Sequence, residues 1–300
     1  MYLDYFNFKE LPFGLTPNIN FYCQLKGHQD ALNVLLFSLR SGEGFIKIIG
    51  EVGLGKTLLC RKLLNSLGDD YVTAYVPNPD LTPLELRKAI ARELGVEFTP
   101  SSDQHELLSL LNTKLLELHQ AGKRSVVVID EAQALSLEGL EAVRLLTNLE
   151  TEKTKLLQVV LFGQPELDRM LNKPTLRQLK QRITFSYYLP LMSYEDMDTY
   201  LFHRLAVAGH TSTTLFAKKT RRMLYRASKG VPRIINILCH KALLLAYGRG
   251  QIQVTPGMMK LAIRDSDISF ISKRHYALLL IGAGLVVTAI LLLYVFMGII

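Results

Sequence analysis

The chain has 300 residues, 49% of them apolar and none in a low-complexity tract, which suffices for one large or two modest domains and excludes a disordered polymer. Its three cysteines, Cys23, Cys60 and Cys239, are scattered without CxxC or metal-ligand spacing, which reads as reduced thiols and excludes a disulfide scaffold or a zinc module. The net charge of +8 is uneven: residues 1–198 carry 21 basic and 25 acidic side chains, whereas Thr199–Arg264 carries twelve Lys or Arg and no acid, so the basicity is confined to one segment that calls for an anionic neighbour.

The first ten residues, MYLDYFNFKE, contain acids and no apolar run, unlike a signal peptide. After a Pro-punctuated stretch (LPFGLTPN), Ala31, Leu32, Leu35, Leu36 and Leu39 recur at helical spacing, and Gly42 and Gly44 end that helix. Phe45–Ile49 reads as a strand running into a glycine-rich turn, followed by a helix over Leu58–Leu67 and a strand over Tyr71–Val76. Helices are expected at Pro83–Leu94, His105–His119 and Leu137–Asn148, with buried strands at Ser125–Ile129 and Leu156–Phe162. Strands alternating with helices imply an α/β fold with a parallel sheet covered on both faces. After Tyr188 the pattern turns helical, with helices expected at Tyr194–Ala208, Leu215–Ser228, Pro232–Tyr247 and Pro256–Ile263, and a boundary near Leu189-Pro190-Leu191. Tyr276–Ile300 is free of charge for 25 residues. At about 1.5 Å per residue it is long enough to cross a hydrocarbon core of about 30 Å. Lys273, Arg274 and His275 precede it, which orients the N-terminal body to the cytoplasm and leaves no extracytoplasmic domain.

Four motifs carry chemistry. Gly50-Glu51-Val52-Gly53-Leu54-Gly55-Lys56-Thr57 fits GxxxxGK[ST] between a strand and a helix: backbone N–H groups and the helix N-terminus, running on into Leu58, would cradle phosphates. Lys56 would reach the β- and γ-phosphates, and the Thr57 hydroxyl would bind Mg²⁺. The strand Val126–Ile129 ends in Asp130 and Glu131, where Asp130 would hold Mg²⁺ and Glu131 would orient and polarise the attacking water of ATP hydrolysis. Gly230-Val231-Pro232-Arg233 places Arg233 in the first turn of a helix, in reach of a γ-phosphate or simply on the surface. Leu176–Ile183 carries Arg177 and Arg182, which read equally well as a solvated basic helix or as a source of an arginine finger for a neighbouring subunit.

These residues, with Leu11-Pro12-Phe13, Thr16-Pro17, His28, Asp130-Glu131-Ala132-Gln133 and Gly163-Gln164-Pro165-Glu166-Leu167, resemble the AAA+ ATPases. More narrowly, they are similar to the general secretion pathway protein A (ExeA-type) family over about residues 1–268. The resemblance implies an αβα AAA+ core at 1–190 and a helical lid at 191–268; the charge pattern adds a basic juxtamembrane linker at 269–275 and one transmembrane helix at 276–299. The resemblance also implies Gln164 at the sensor-1 position, where Asn or Thr is usual, Arg182 as the better arginine-finger candidate, and Arg233 as sensor 2. It further implies ring-shaped homo-oligomers at the inner membrane and work with the assembly proteins of a type IV-like pilus or a type II secretion complex. The short tether would set the basic lid near the anionic phospholipid surface. Transposition-helper ATPases share the Asp-Glu-Ala-Gln feature and act on nucleic acid, which a membrane span disfavours.

Overall fold

A computed structural model describes residues 2–150 and 154–266. The linker at 269–275 and the expected span at 276–299 lie outside the described residues. Among those described, no helix is long and apolar enough to cross a membrane.

Five parallel strands form one sheet: β1 (Phe45–Ile49), β2 (Tyr71–Val76), β3 (Arg124–Ile129), β4 (Leu157–Gly163) and β5 (Phe185–Tyr188), in the order β2-β3-β4-β1-β5. The two-residue period sorts their side chains. Phe45, Ile49, Val127, Ile129, Val159 and Leu161 face a layer holding α3 (Pro83–Glu93), α4 (Gln104–Gln120) and α5 (Leu137–Leu146). Ile46, Ile48, Val126, Val128, Val160 and Phe162 face α1 (Lys26–Arg40) and α2 (Lys56–Ser66). Burial on both sides explains why β3 and β4 are continuous apolar runs rather than alternating ones. Local signals set the helix starts: Thr82 and Glu85 form a reciprocal capping box with Pro83 in the first turn of α3, and Asp103 and Ser136 cap α4 and α5.

Two elements, over Pro165–Leu171 and Phe185–Tyr188, had no counterpart in the sequence pattern, and a third falls within the basic helix read at Leu176–Ile183. The helix α6 (Pro165–Leu171) and the helix α7 (Arg177–Arg182) are seven and six residues long. The edge strand β5 has four residues and only partial burial.

The second part of the fold is helical: α8 (Tyr194–Val207), α9 (Lys218–Ser228), α10 (Pro232–Gly248) and α11 (Pro256–Asp265). Its core is not made by these helices alone. Tyr2, Phe6, Phe8, Phe13 and Phe21 precede the sheet in sequence, yet they are buried with Leu201, Phe216, Leu238 and Met259. The three cysteines are free thiols, as expected. Burial raises the Cys23 thiol to about 11.

Candidate active site

The carboxyl ends of β1, β3 and β4 meet where the strand order reverses, the position at which open α/β sheets bind ligands. The phosphate-type loop leaves β1 there and ends at the N-terminus of α2. Gly53 and Gly55 adopt φ of +84° and +89°, a region that side chains enter at a steric cost. Gly53 also lies against Arg233, whose Cβ would stand 2.7 Å from a Cβ added at position 53. Lys56 is buried and donates to the carbonyls of Gly50 (2.8 Å) and Glu51 (3.1 Å), so its ammonium lies inside the loop. Burial lowers its pKa, against the opposing charges of Glu131, Asp130, Glu51 and Glu166.

Asp130 is buried at the tip of β3. Burial raises its pKa, while hydrogen bonds from the Thr57 side chain and the Glu131 amide pull it down. Thr57 and Asp130 thus present two hard oxygen donors to one point, a set suited to Mg²⁺ completed by phosphate and water. Glu131 occupies the left-handed region at φ 50°, a strained conformation of the kind that accumulates at active sites. Its carboxylate accepts from Gln133 (2.5 Å) and from Gln164 (2.9 Å), and the Gln164 amide donates to the Gln133 side chain (3.0 Å). Burial alone would raise the Glu131 pKa, but these two side-chain donors and the Lys56 charge outweigh it, and the carboxyl sits below its ordinary value.

The cleft is lined by Val52–Leu58, Glu131, Gln164 and Arg233. Gly50 and Glu51 stand behind the loop and contribute the carbonyls that hold Lys56, while Asp130 lies beneath it. Arg233 is anchored by its own amide, which donates to the Gly53 carbonyl (3.2 Å). Arg182 does not line the cleft; it donates to the Thr147 hydroxyl (2.8 Å) and the Arg144 carbonyl (3.3 Å) at the end of α5.

The opposite wall was not foreseen in the sequence. Gly14–Asn18 and Phe21–Cys23 line it, with Tyr200, Arg204 and Asn236 from α8 and α10. The buried Arg204 guanidinium donates to the Pro12 carbonyl, to the Tyr200 hydroxyl (2.9 Å) and to the Gly14 carbonyl (3.4 Å), and lies 4.5 Å from the Phe21 ring centroid. His28 bonds the Leu54 carbonyl (2.8 Å) from the start of α1, and burial keeps its pKa low. For His28 and Gln133 the motif resemblance was the signal available; for Arg204 there was none.

Residues 39–171 match the family described as AAA domain. Those residues are an AAA domain. This chain is 44% identical over 262 residues to general secretion pathway protein A of Aeromonas hydrophila, an alignment that covers 87% of this chain and 48% of that protein. The chain therefore spans about half the length of the curated relative it matches. The AAA domain and its flanking helices superpose on the ORC2 protein of Aeropyrum pernix, solved as ADPNP–ADP complexes, with a TM-score of 0.63 and 19% identity over 90% of this chain and 74% of that one. The RuvB Holliday junction branch migration motor of Thermotoga maritima gives a TM-score of 0.52 at 15% identity, over 81% of this chain and 70% of that one. At those identities the likeness speaks to the fold alone: an AAA-type P-loop core on a parallel sheet.

Proposed function

We propose that this AAA-domain protein is a membrane-anchored ATPase whose site is completed by a neighbouring copy. The observation that carries the reading is the convergence of Lys56, Thr57, Asp130, Glu131 and Gln164 at one end of a cleft whose other wall comes from a different part of the fold. Lys56 and the loop amides of Gly50–Leu58 hold phosphate oxygens, and Thr57 and Asp130 hold Mg²⁺, which when bound neutralises developing charge. Glu131 orients water, with Gln164 and Gln133 fixing its carboxylate. Arg233 reads the γ-phosphate in cis, and residues 191–268 act as the lid that carries it. Arg182, turned away from its own cleft, serves the neighbour's. No covalent intermediate is needed, since positioning and charge stabilisation suffice.

Residues 276–299 hold the protein in the inner membrane with the ATPase body, residues 1–190 and the lid, in the cytoplasm, and the basic lid faces anionic phospholipid. The name of the 44% identical relative supports work on a secretion complex. An MSHA-type pilus is the narrower reading, and it rests on the motif resemblance.

Steady-state ATPase of the full chain in nanodiscs, measured against protein concentration, tests this. The rate is expected to rise more than linearly, and Arg182→Ala to abolish it while nucleotide binding persists. A rate linear in concentration and indifferent to Arg182 would remove the trans-completed site. A nucleotide-gated scaffold with little turnover is the second reading, favoured by the two amide donors that hold Glu131 in place. Glu131→Gln separates them: a motor loses its biological function, with kcat down about 10²–10³-fold, whereas a scaffold keeps it.

A further inference from the structure

Lys47 contradicts its surroundings. It is the third residue of β1, paired on one side with Leu161 of β4 and on the other with Ser186 of β5, so it occupies an inner strand of the sheet. By the alternation of β1 it shares a face with Phe45 and Ile49, both in the apolar layer. Lysine is seldom buried unless it is paired. Here the ammonium forms an ion pair with one oxygen of Asp168 in α6, while the Tyr188 hydroxyl of β5 donates to the other. The ammonium lies 5.7 Å from the centroid of the Tyr188 ring. The pair is largely withdrawn from water, its side chains 11% and 19% exposed. A buried pair of this kind contributes little net stability over an apolar replacement. What it does supply is a fixed geometry.

That geometry concerns the site directly. Asp168 stands four residues, about one helical turn, beyond Gln164. Gln164 is the residue at which α6 begins, and its side chain and amide hold Glu131 and Gln133. Lys47, for its part, belongs to the strand that runs into the phosphate-type loop. We propose that Lys47, Asp168 and Tyr188 form an anchor that sets where α6 places Gln164, and through Gln164 the orientation of Glu131 relative to the phosphate-type loop. The three are positioning residues; none of them lines the cleft. The inference rests on the hydrolysis reading given above, and it predicts an effect on turnover rather than on nucleotide affinity.

A double-mutant cycle on the full chain in nanodiscs tests it. Asp168→Asn is expected to lower kcat about tenfold with KM for ATP changed by about twofold or less. In a Gln164→Ala background the same substitution is expected to change kcat by about twofold or less, because the link it acts through is already cut. An equal loss in both backgrounds, or no loss in the wild type, overturns the anchor. Tyr188→Phe removes one hydroxyl from an exposed residue and covers the case in which Asp168→Asn fails to fold. It is expected to lower kcat by about two- to threefold in the wild-type background and to have no effect in Gln164→Ala. A wild type that binds ATP without turning it over sinks the hydrolysis reading instead. Amide exchange across Glu166–Leu171 then decides the anchor by itself: faster exchange in Tyr188→Phe supports it, and unchanged exchange overturns it.

Discussion

The two walls of the cleft are held in contrasting ways. On the phosphate side, Gly50–Leu58 is one contiguous segment, and its partners Asp130, Glu131 and Gln164 all sit at the ends of neighbouring strands. On the opposite side, Pro12 and Gly14 are held through backbone carbonyls by Arg204 and Asn236, contacts that span 192 and 222 residues of sequence. The first wall is specified by local residue types: glycines where φ is positive, a lysine where the ammonium must turn inward. The second is specified by tertiary packing, since a carbonyl can be gripped whatever side chain it belongs to.

Breaking the second wall should have the largest effect. Phe13 is fully buried in the aromatic and helical core, in edge contact with Phe216. Phe13→Ala is expected to cost about 3–5 kcal/mol in denaturant unfolding. It should also weaken ATP binding, because Gly14 to Asn18 line the cleft. If affinity holds while stability falls, the two walls are independent, and the coupling through Pro12 and Gly14 is not functional.

An intermediate effect of opposite sign is expected on the phosphate side. The pKa of Asp130 is raised by burial, so its ionised form opposes folding above that value, and stability recovers as pH falls through it. Asp130→Asn should therefore raise Tm by a few degrees at neutral pH in metal-free buffer. The gap should narrow as pH is lowered, and Mg²⁺-dependent turnover should be lost. A variant less stable than wild type at every pH would show that the Thr57 and Glu131 hydrogen bonds outweigh the burial.

The smallest effect concerns a residue of the sheet layer remote from either wall. Arg87 in α3 is 2% exposed; its Nε and one terminal nitrogen are buried without a hydrogen-bond partner among the described residues, and burial lowers its pKa. Replacing it by Met removes an uncompensated charge and keeps the volume. Arg87→Met should be neutral or stabilising by about 1 kcal/mol in thermal unfolding. A marked loss would mean that this arginine has a partner in the assembled protein.

The same contrast explains what could be read in advance. The strands β1 and β2 were placed residue for residue, and β3 and β4 within one residue; burial on both faces leaves β1, β3 and β4 mostly apolar, whereas β2 is a half-buried edge strand marked by its β-branched and aromatic residues. The helices α3 and α4 were placed within one residue at each end, and the caps that set their starts, Thr82 and Asp103, became clear in the fold. Phe185–Tyr188 escaped notice because a four-residue edge strand buries half its surface and carries no long alternation. The helix α6 escaped because seven residues give too few turns for a period to emerge, although its opening Gly-Gln-Pro-Glu-Leu stood out as a motif. Tyr2, Phe6, Phe8 and Phe13 follow no period at all, and their partners lie at the far end of the described chain. The phosphate-side residues were found together; the wall that faces them was found in the fold.

Gly230 shows how narrowly the joint between the two parts is machined. It takes a φ of +77°, and a Cβ there would stand 2.2 Å from the backbone oxygen of Met192, while its own carbonyl accepts from the Met192 amide (3.1 Å). Two residues later begins α10, which carries Arg233, and three residues before Met192 the Leu189 amide is pinned to Ile49 at the root of the loop. Drift in sequence at this joint is thus channelled: position 192 must keep an apolar side chain, because Met192 is buried in the helical core and borders the cleft, whereas position 230 tolerates hydrogen alone, and lengthening the segment between Leu189 and Met192 by even one residue would carry Arg233 out of register with Gly53.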